Sequence, residues 1–157
     1  MKTRIEKAVE DSPGIHFRGL KREVGCSVST LEHHLRNDSN IKDTKIRSYR
    51  RVYPASVPER YYSALAAMNH ERRGKILWMV ENGEEVAFGD IAERMDSSRS
   101  TVSHHLKILA DDNLVEEESR GRTKIFSTSG RVHTAFRKYT TNMVKEMSGN
   151  FTEMWSQ

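Results

Sequence analysis

Two octets of this chain carry the same chemistry. Ser29-Thr30-Leu31-Glu32-His33-His34-Leu35-Arg36 recurs as Ser100-Thr101-Val102-Ser103-His104-His105-Leu106-Lys107, at an offset of 71 residues. Each octet holds short hydroxyls, two imidazoles and a terminal base, interrupted by apolar residues four apart. On a helix the apolar pair faces inward, and the hydroxyl and basic groups face out. Such a face suits a groove that displays base edges between phosphates. Metal chelation fits less well. His33 and His34, like His104 and His105, are adjacent and so point to different helix faces, whereas chelation along a helix wants i, i+4 spacing. No metal is expected.

The same offset brings Phe17 onto Phe88, Leu20 onto Ile91 and Val24 onto Met95. Both copies therefore read as a short helix, a tight turn and an outward-polar helix, the pattern of a helix-turn-helix. A period of 71 is too long for a solenoid repeat of about 20–50 residues. Two domain-sized units are expected, with cores small enough to lean on each other or on a second subunit.

The elements that must position the octets can be followed along the chain. Ile5, Ala8 and Val9 mark a first helix, stopped at Ser12-Pro13-Gly14. Phe17 to Val24 forms the next, closed by Gly25. Ser27 caps a helix burying Leu31 and Leu35. Lys45 to Tyr53 reads as a basic β-hairpin. Pro54, Ala55, Ser56, Val57 and Pro58 form a linker stiffened by two prolines. A helix from Tyr61 to Met68 follows, then one capped by Asn69 with Ile76, Leu77 and Val80 inward. Val86-Ala87-Phe88 is a short strand. Asp90 to Met95 is the second copy's first helix, Ser97-Ser98 its turn and cap, and Arg99 to about Asp111 its reading helix. Leu114-Val115 opens a hairpin that turns at Ser119 to Arg122 and returns through Ser127. A long helix is expected from about Arg131. The fold class is mainly α with small β-hairpin wings, arranged as tandem winged helix-turn-helix domains: 1–53, a linker 54–58, 59–130, and a C-terminal helix 131–157.

Phe88 to Phe126 resembles the ArsR-type winged-helix transcriptional regulators. The resemblance rests on the second octet with Leu109, on Asn113-Leu114-Val115, and on Arg120-Gly121-Arg122. The run Met68 to Leu77 is similar to that family's first core helix. The first unit, around Pro13 to Arg18, is similar to winged-helix domains common in archaeal regulators, as a shorter, degenerate copy lacking the first long helix. The resemblance implies that the third helix enters the major groove and the wing lies on the flanking backbone of double-stranded DNA.

The residues agree with that implication. In the second copy, Ser98, Arg99, Ser100, Thr101, Ser103, His104 and Lys107 are the candidate groove residues, with Arg120, Arg122 and Lys124 on the wing. In the first copy the candidates are Ser29, Thr30, His33 and Arg36, with Lys45, Arg47, Arg50 and Arg51 on the wing. Glu32 stands where the second copy has Ser103, and Val28 where it has Arg99, so the first copy is expected to hold DNA more by backbone than by base edges.

The formal charge is +4, with 12 Lys and Arg against 7 Asp and Glu in residues 1–58, a net of +5. That basic excess favours a polyanionic partner. A lone cysteine, Cys26, excludes an internal disulfide, and the charged start at Lys2, Arg4, Glu6 and Lys7 is unlike a signal peptide. No run approaches the ~18 apolar residues of a membrane helix, so a soluble, cytoplasmic, nucleoid-associated protein is expected. No Gly-rich phosphate loop, nucleophile elbow or convergent carboxylate pair points to an enzyme, and no cofactor is expected. The alternative to a sequence-specific regulator is an architectural or protein-docking winged-helix module.

Val132, Phe136, Tyr139, Met143 and Met147 recur at helical spacing. With Tyr61 and Tyr62 they form the expected homodimer surface, because in ArsR-type proteins the first and last helices pair across a two-fold axis.

Overall fold

The computed structural model describes residues 1–140. The first half runs α1 (Lys2–Asp11), β1 (Ile15–His16), α2 (Phe17–Val24), α3 (Val28–Asn37), β2 (Ile41–Ile46) and β3 (Tyr49–Pro54). A 3-10 turn, Glu59–Tyr61, and α4 (Tyr62–Met68) lead into α5 (Glu71–Gly83), β4 (Val86–Ala87), α6 (Phe88–Arg94), α7 (Arg99–Asp111), β5 (Val115–Arg120), β6 (Thr123–Thr128) and α8 (Gly130–Tyr139). Each half builds a three-stranded antiparallel sheet with the last strand in the middle, in the orders β1-β3-β2 and β4-β6-β5. The order helix, strand, helix, helix, hairpin thus occurs twice.

Local chemistry explains the boundaries that hold these helices in place. Gly25 closes α2 at φ 74°, a left-handed conformation, with its N–H donating to the Lys21 carbonyl at 2.9 Å. Ser27 and Ser98 cap α3 and α7 in the same way. Each hydroxyl accepts the backbone N–H three residues on, Thr30 or Thr101, at 3.2 Å. Behind α3, Leu20, Leu31 and Val52 are fully buried. Behind α7, Val102, Leu106 and Leu109 pack with Ile76, Ile91 and Leu114. Both outer faces are therefore backed by closely packed apolar layers.

Some boundaries differ from the sequence reading. His70, not Asn69, caps α5, its Nδ1 accepting the Arg73 N–H at 3.3 Å. Asn69 is taken up elsewhere: its amide donates to the Pro13 carbonyl at 2.8 Å and its Oδ1 accepts from the Ser12 hydroxyl at 2.8 Å. Phe88 begins α6 rather than ending a strand. The first half also has a ten-residue helix ahead of β1, against thirteen residues in α5.

The two halves are packed together. Tyr53, fully buried, belongs to the second half's core although β3 belongs to the first sheet. Its ring stacks on Tyr62 at 3.8 Å between centroids and 10° between planes, and its hydroxyl donates to the Tyr62 carbonyl at 2.9 Å. Val57, midway along the prolyl segment, is buried. Gly14 lies at φ 87°, and a Cβ there would meet the Leu65 backbone at 3.1 Å. Lys42 pairs with Glu59 across the same junction. The tip of the first hairpin reaches the far end of α7, where the Arg47 guanidinium grips Asp112 through two bonds of 2.7 and 2.9 Å.

No described helix is long and apolar enough to cross a membrane.

Candidate nucleic-acid interface

On α7, the residues expected to face outward do so. Arg99, Ser100, Ser103, His104 and Lys107 are exposed, while Val102, Leu106 and Leu109 are buried. Ser98 and Thr101 are drawn into the cap, with their hydroxyls 2.8 Å apart, so both are partly committed to holding the helix start. The Arg99 guanidinium lies over the Phe88 ring at 4.9 Å, which fixes a long cation at the leading end of the helix. Phe88 was not singled out from the sequence as a site residue, although its place at the start of α6 repeats that of Phe17.

A cleft of about 790 Å³ separates α7 from the second hairpin. Arg99, Ser103 and Lys107 line one wall, and Arg122 and Lys124 the other. Gly121, at φ 63°, makes the turn at the hairpin tip. The three basic wing residues are not equivalent. Arg120 is held by Glu85 at 3.0 Å and Glu118 at 2.9 Å, and these carboxylates push its pKa further up. Lys124 pairs with Glu117 at 3.2 Å. Arg122 is exposed and has no ion-pair partner among the described residues.

The first half presents α3 with Ser29, His33 and Arg36 exposed and Thr30 half-buried at the cap. His33 is crossed by Asn37, whose amide donates to its carbonyl at 2.7 Å. The wing departs from the sequence reading. Arg50 does not extend into solvent. It lies 4.3 Å over the Phe17 ring, donates to both Asp43 oxygens at 2.8 and 2.9 Å, and pairs with Glu32 on α3. That bond holds the Glu32 carboxyl below the usual carboxylate range. Arg51 is only 6% exposed and donates to the Gly14 carbonyl. The reason is β1. Arg51 sits on a central strand, opposite Thr44 on one side and His16 on the other, so its side chain is enclosed. A two-residue strand carries too little periodicity to be read from sequence. Arg47 is committed to Asp112. Of the four expected wing cations, Lys45 alone is exposed without an ion-pair partner among the described residues.

The expected dimer surface is also placed differently. Tyr61, Tyr62, Val132 and Phe136 are buried within this chain, and Tyr139 packs on Tyr61 at 5.5 Å between ring centroids. The apolar stripe of α8 is covered by α4 and α5 of its own chain, with Phe136 6.0 Å from the Trp78 ring. The outward face carries Arg131, His133, Arg137 and Lys138. Met143 and Met147 lie outside the described residues. Among the described residues no group of His, Cys, Asp and Glu is placed to hold a metal.

Residues 70–117, from the cap of α5 to the second strand of the wing sheet, match the model of the bacterial regulatory protein, arsR family. The transcriptional repressor SdpR of Bacillus subtilis is 33% identical over 66 residues, covering 42% of this chain and 72% of that protein. This chain belongs to the ArsR family. The transcriptional activator HlyU of Vibrio cholerae is 35% identical over 65 residues, 41% of this chain and 59% of HlyU. A solved structure of HlyU covers 50% of this ArsR-family chain at 30% identity, with a TM-score of 0.43. An uncharacterized HTH-type transcriptional regulator of Methanocaldococcus jannaschii is 26% identical over 125 residues. That alignment spans 78% of this chain and 32% of the relative, so the chain corresponds to about a third of that protein's length.

Proposed function

We propose that this chain is a tandem winged helix-turn-helix regulator that reads double-stranded DNA mainly through its second half. In this reading α7 enters the major groove with Arg99, Ser100, Ser103, His104 and Lys107 toward base edges. Ser98 and Thr101 lie at its cap, and Arg120, Arg122 and Lys124 lie along the flanking backbone. The observation that carries it is the unobstructed basic and hydroxyl face of α7 beside a cleft lined by Arg122. The tandem reading of residues 1–53 and 59–130, joined by 54–58, is supported by the repeated element order and by the two sheets of equal topology. A homodimer belongs to the same reading, through Met143 and Met147, which continue the apolar repeat of the sequence past the part that the chain itself covers.

Arg99→Ala combined with Lys107→Ala is expected to weaken binding to the operator more than binding to random DNA, since each good base contact discriminates by about 1–3 kcal/mol. Fluorescence anisotropy against selected and scrambled duplexes checks this. Equal losses on both would reassign the pair to phosphates and overturn direct readout by α7.

One observation favours a different role for the first half. Its basic hairpin is turned inward onto Asp43, Glu32, Gly14 and Asp112. We propose that this half serves as a support that presents α7, with Ser29, Thr30, His33, Arg36 and Lys45 adding backbone contacts. Each phosphate contact contributes about 0.9 to the log–log salt slope of binding. Arg50→Gln is therefore expected to leave the slope unchanged, whereas Lys45→Gln lowers it by about 0.9. A slope lowered equally by both would restore the hairpin to a DNA-binding wing.

A further inference from the structure

The junction between the halves holds an unbalanced group of cations. Arg51 of β3 is 6% exposed, and the contact it makes, Nη1 to the Gly14 carbonyl at 3.1 Å, neutralises no charge. Buried arginines are ordinarily paired with a carboxylate. Among the described residues Arg51 has no such pair. Arg73 of α5 is half-buried, near enough to Arg51 for its charge to act on it, and meets His105 of α7 at 3.3 Å between Nη1 and Nδ1. His70, at the start of α5, lies 5.4 Å from His105 between ring centroids. Arg47 adds a further charge facing Arg73, and Asp112, whose charge reaches Arg73, is already gripped bidentately by Arg47.

We propose that this junction binds a small oxyanion of the phosphate or sulfate class, held between Arg51 of the first half and Arg73 of the second, with His70 and His105 beside it. Two guanidinium forks from different elements match the oxygen geometry of such an anion, and each can bond it through two N–H groups. The ligand is a free anion rather than a duplex phosphate, because a DNA backbone cannot follow its phosphate to an enclosed arginine on a central strand. The electrostatics of the junction agree. Burial, and after it other cations, push the pKa of Arg73 and of both histidines down, and burial does the same at Arg51. After burial, the groups that push the histidines down are cationic or imidazole: Arg73, His105, Arg51 and Arg72 for His70, and Arg73, His104 and Arg72 for His105. An anion would relieve this repulsion and favour the imidazolium forms. Binding should therefore tighten as the pH falls. The site also joins β3, α5 and α7, so occupancy would stiffen the mounting of α7.

The test uses the full chain and sodium sulfate, which does not titrate in this range, against sodium chloride at matched ionic strength. Thermal unfolding at pH 7.5 and 6.0 is expected to show saturable stabilisation by sulfate, at lower concentrations at pH 6.0. Arg73→Gln should raise the half-saturating concentration about tenfold or more, as loss of a charge-assisted fork implies. Arg131→Gln, on the outer face of α8, should leave it unchanged, and Arg73→Lys should retain part of the response. Because Arg51→Met removes a buried group and could fail to fold, Arg73→Gln carries the decision. A sulfate response no larger than that to chloride, or one indifferent to Arg73→Gln, overturns the proposal. So does a third outcome: no saturation by sulfate, with Arg73→Gln lowering the salt slope of DNA binding by about 0.9. That result would make Arg73 a backbone-phosphate contact.

Discussion

Replacing Tyr53 by alanine is expected to remove about 3–5 kcal/mol of stability, the range for deleting a fully buried large aromatic side chain. Tyr53 is the aromatic that ties the halves together. It leaves the first sheet on β3 and finishes stacked on Tyr62 in the second core. Its removal opens a cavity at the junction and abolishes the stacking, itself worth about 0.5–1.5 kcal/mol beyond area. Tyr53→Phe keeps the ring and loses the hydroxyl's bond to the Tyr62 carbonyl. It should cost only about 0.5–1.5 kcal/mol, the net worth of one hydrogen bond. Urea unfolding followed by circular dichroism gives both values. The alanine variant should also unfold in two steps, because the small cores then lose their shared support. A single transition displaced by under 1 kcal/mol would show that the halves do not depend on this contact.

Lowering the pH from 7.5 to 4.5 is expected to destabilise the protein by about 2 kcal/mol, chiefly through His70. Its pKa is lowered from 6.5 to about 4, first by burial and then by Arg73. The folded pKa lies below the unfolded one, so the stability that accompanies neutral His70 is complete above pH 6.5. It is lost as the pH falls toward 4, where folding must hold the imidazole uncharged while the unfolded chain protonates. The full shift would be worth about 3.4 kcal/mol at 1.36 kcal/mol per pKa unit, reduced here because the ring is only half-buried. A specific bond is at stake as well: protonated Nδ1 cannot accept the Arg73 N–H that caps α5. His105 and His16 are lowered in the same direction, by burial and then by Arg73 and Arg51 respectively. His70→Asn, which keeps a capping acceptor without the titration, should flatten the profile. A urea midpoint constant between pH 7.5 and 4.5 in the parent protein would refute the assignment. These measurements belong in chloride buffers, so that sulfate at the junction does not mask the slope.

Helices α3 and α7 were legible because their signals are local. A serine cap, an apolar pair four apart and a closing polar break specify α3 and α7 without reference to the rest of the chain. The exposed face of α7 followed from the same periodicity. The basic hairpin was misread because the fate of a strand residue depends on its neighbours in space. Arg50 and Arg51 look alike in sequence. One became a bridge to Asp43 and Glu32, and the other was enclosed when the two-residue β1 made β3 a central strand. The apolar stripe of α8 shows a related ambiguity. Periodicity reveals that a face must be covered, and it is silent on whether the cover is α4 and α5 of the same chain or a second subunit. Asn69, a sound helix cap by composition, was claimed by Ser12 and Pro13 across a junction that no local pattern announces.

The buried Val57 and the Tyr53–Tyr62 stack change what the segment between the halves can control. In a chain of beads on a string, contour length sets the effective concentration of the second bead at the first bead's site, and added residues tune affinity. Here the spacing between α3 and α7 is a property of a packed surface, with Arg47 on Asp112 as its far strut. Extra residues inserted at the exposed Ala55–Ser56 would lengthen the string without moving the beads. On the proposed function, a duplex site touched by both halves would therefore be selected for its geometry, and would tolerate almost no variation in the distance between the two contacts.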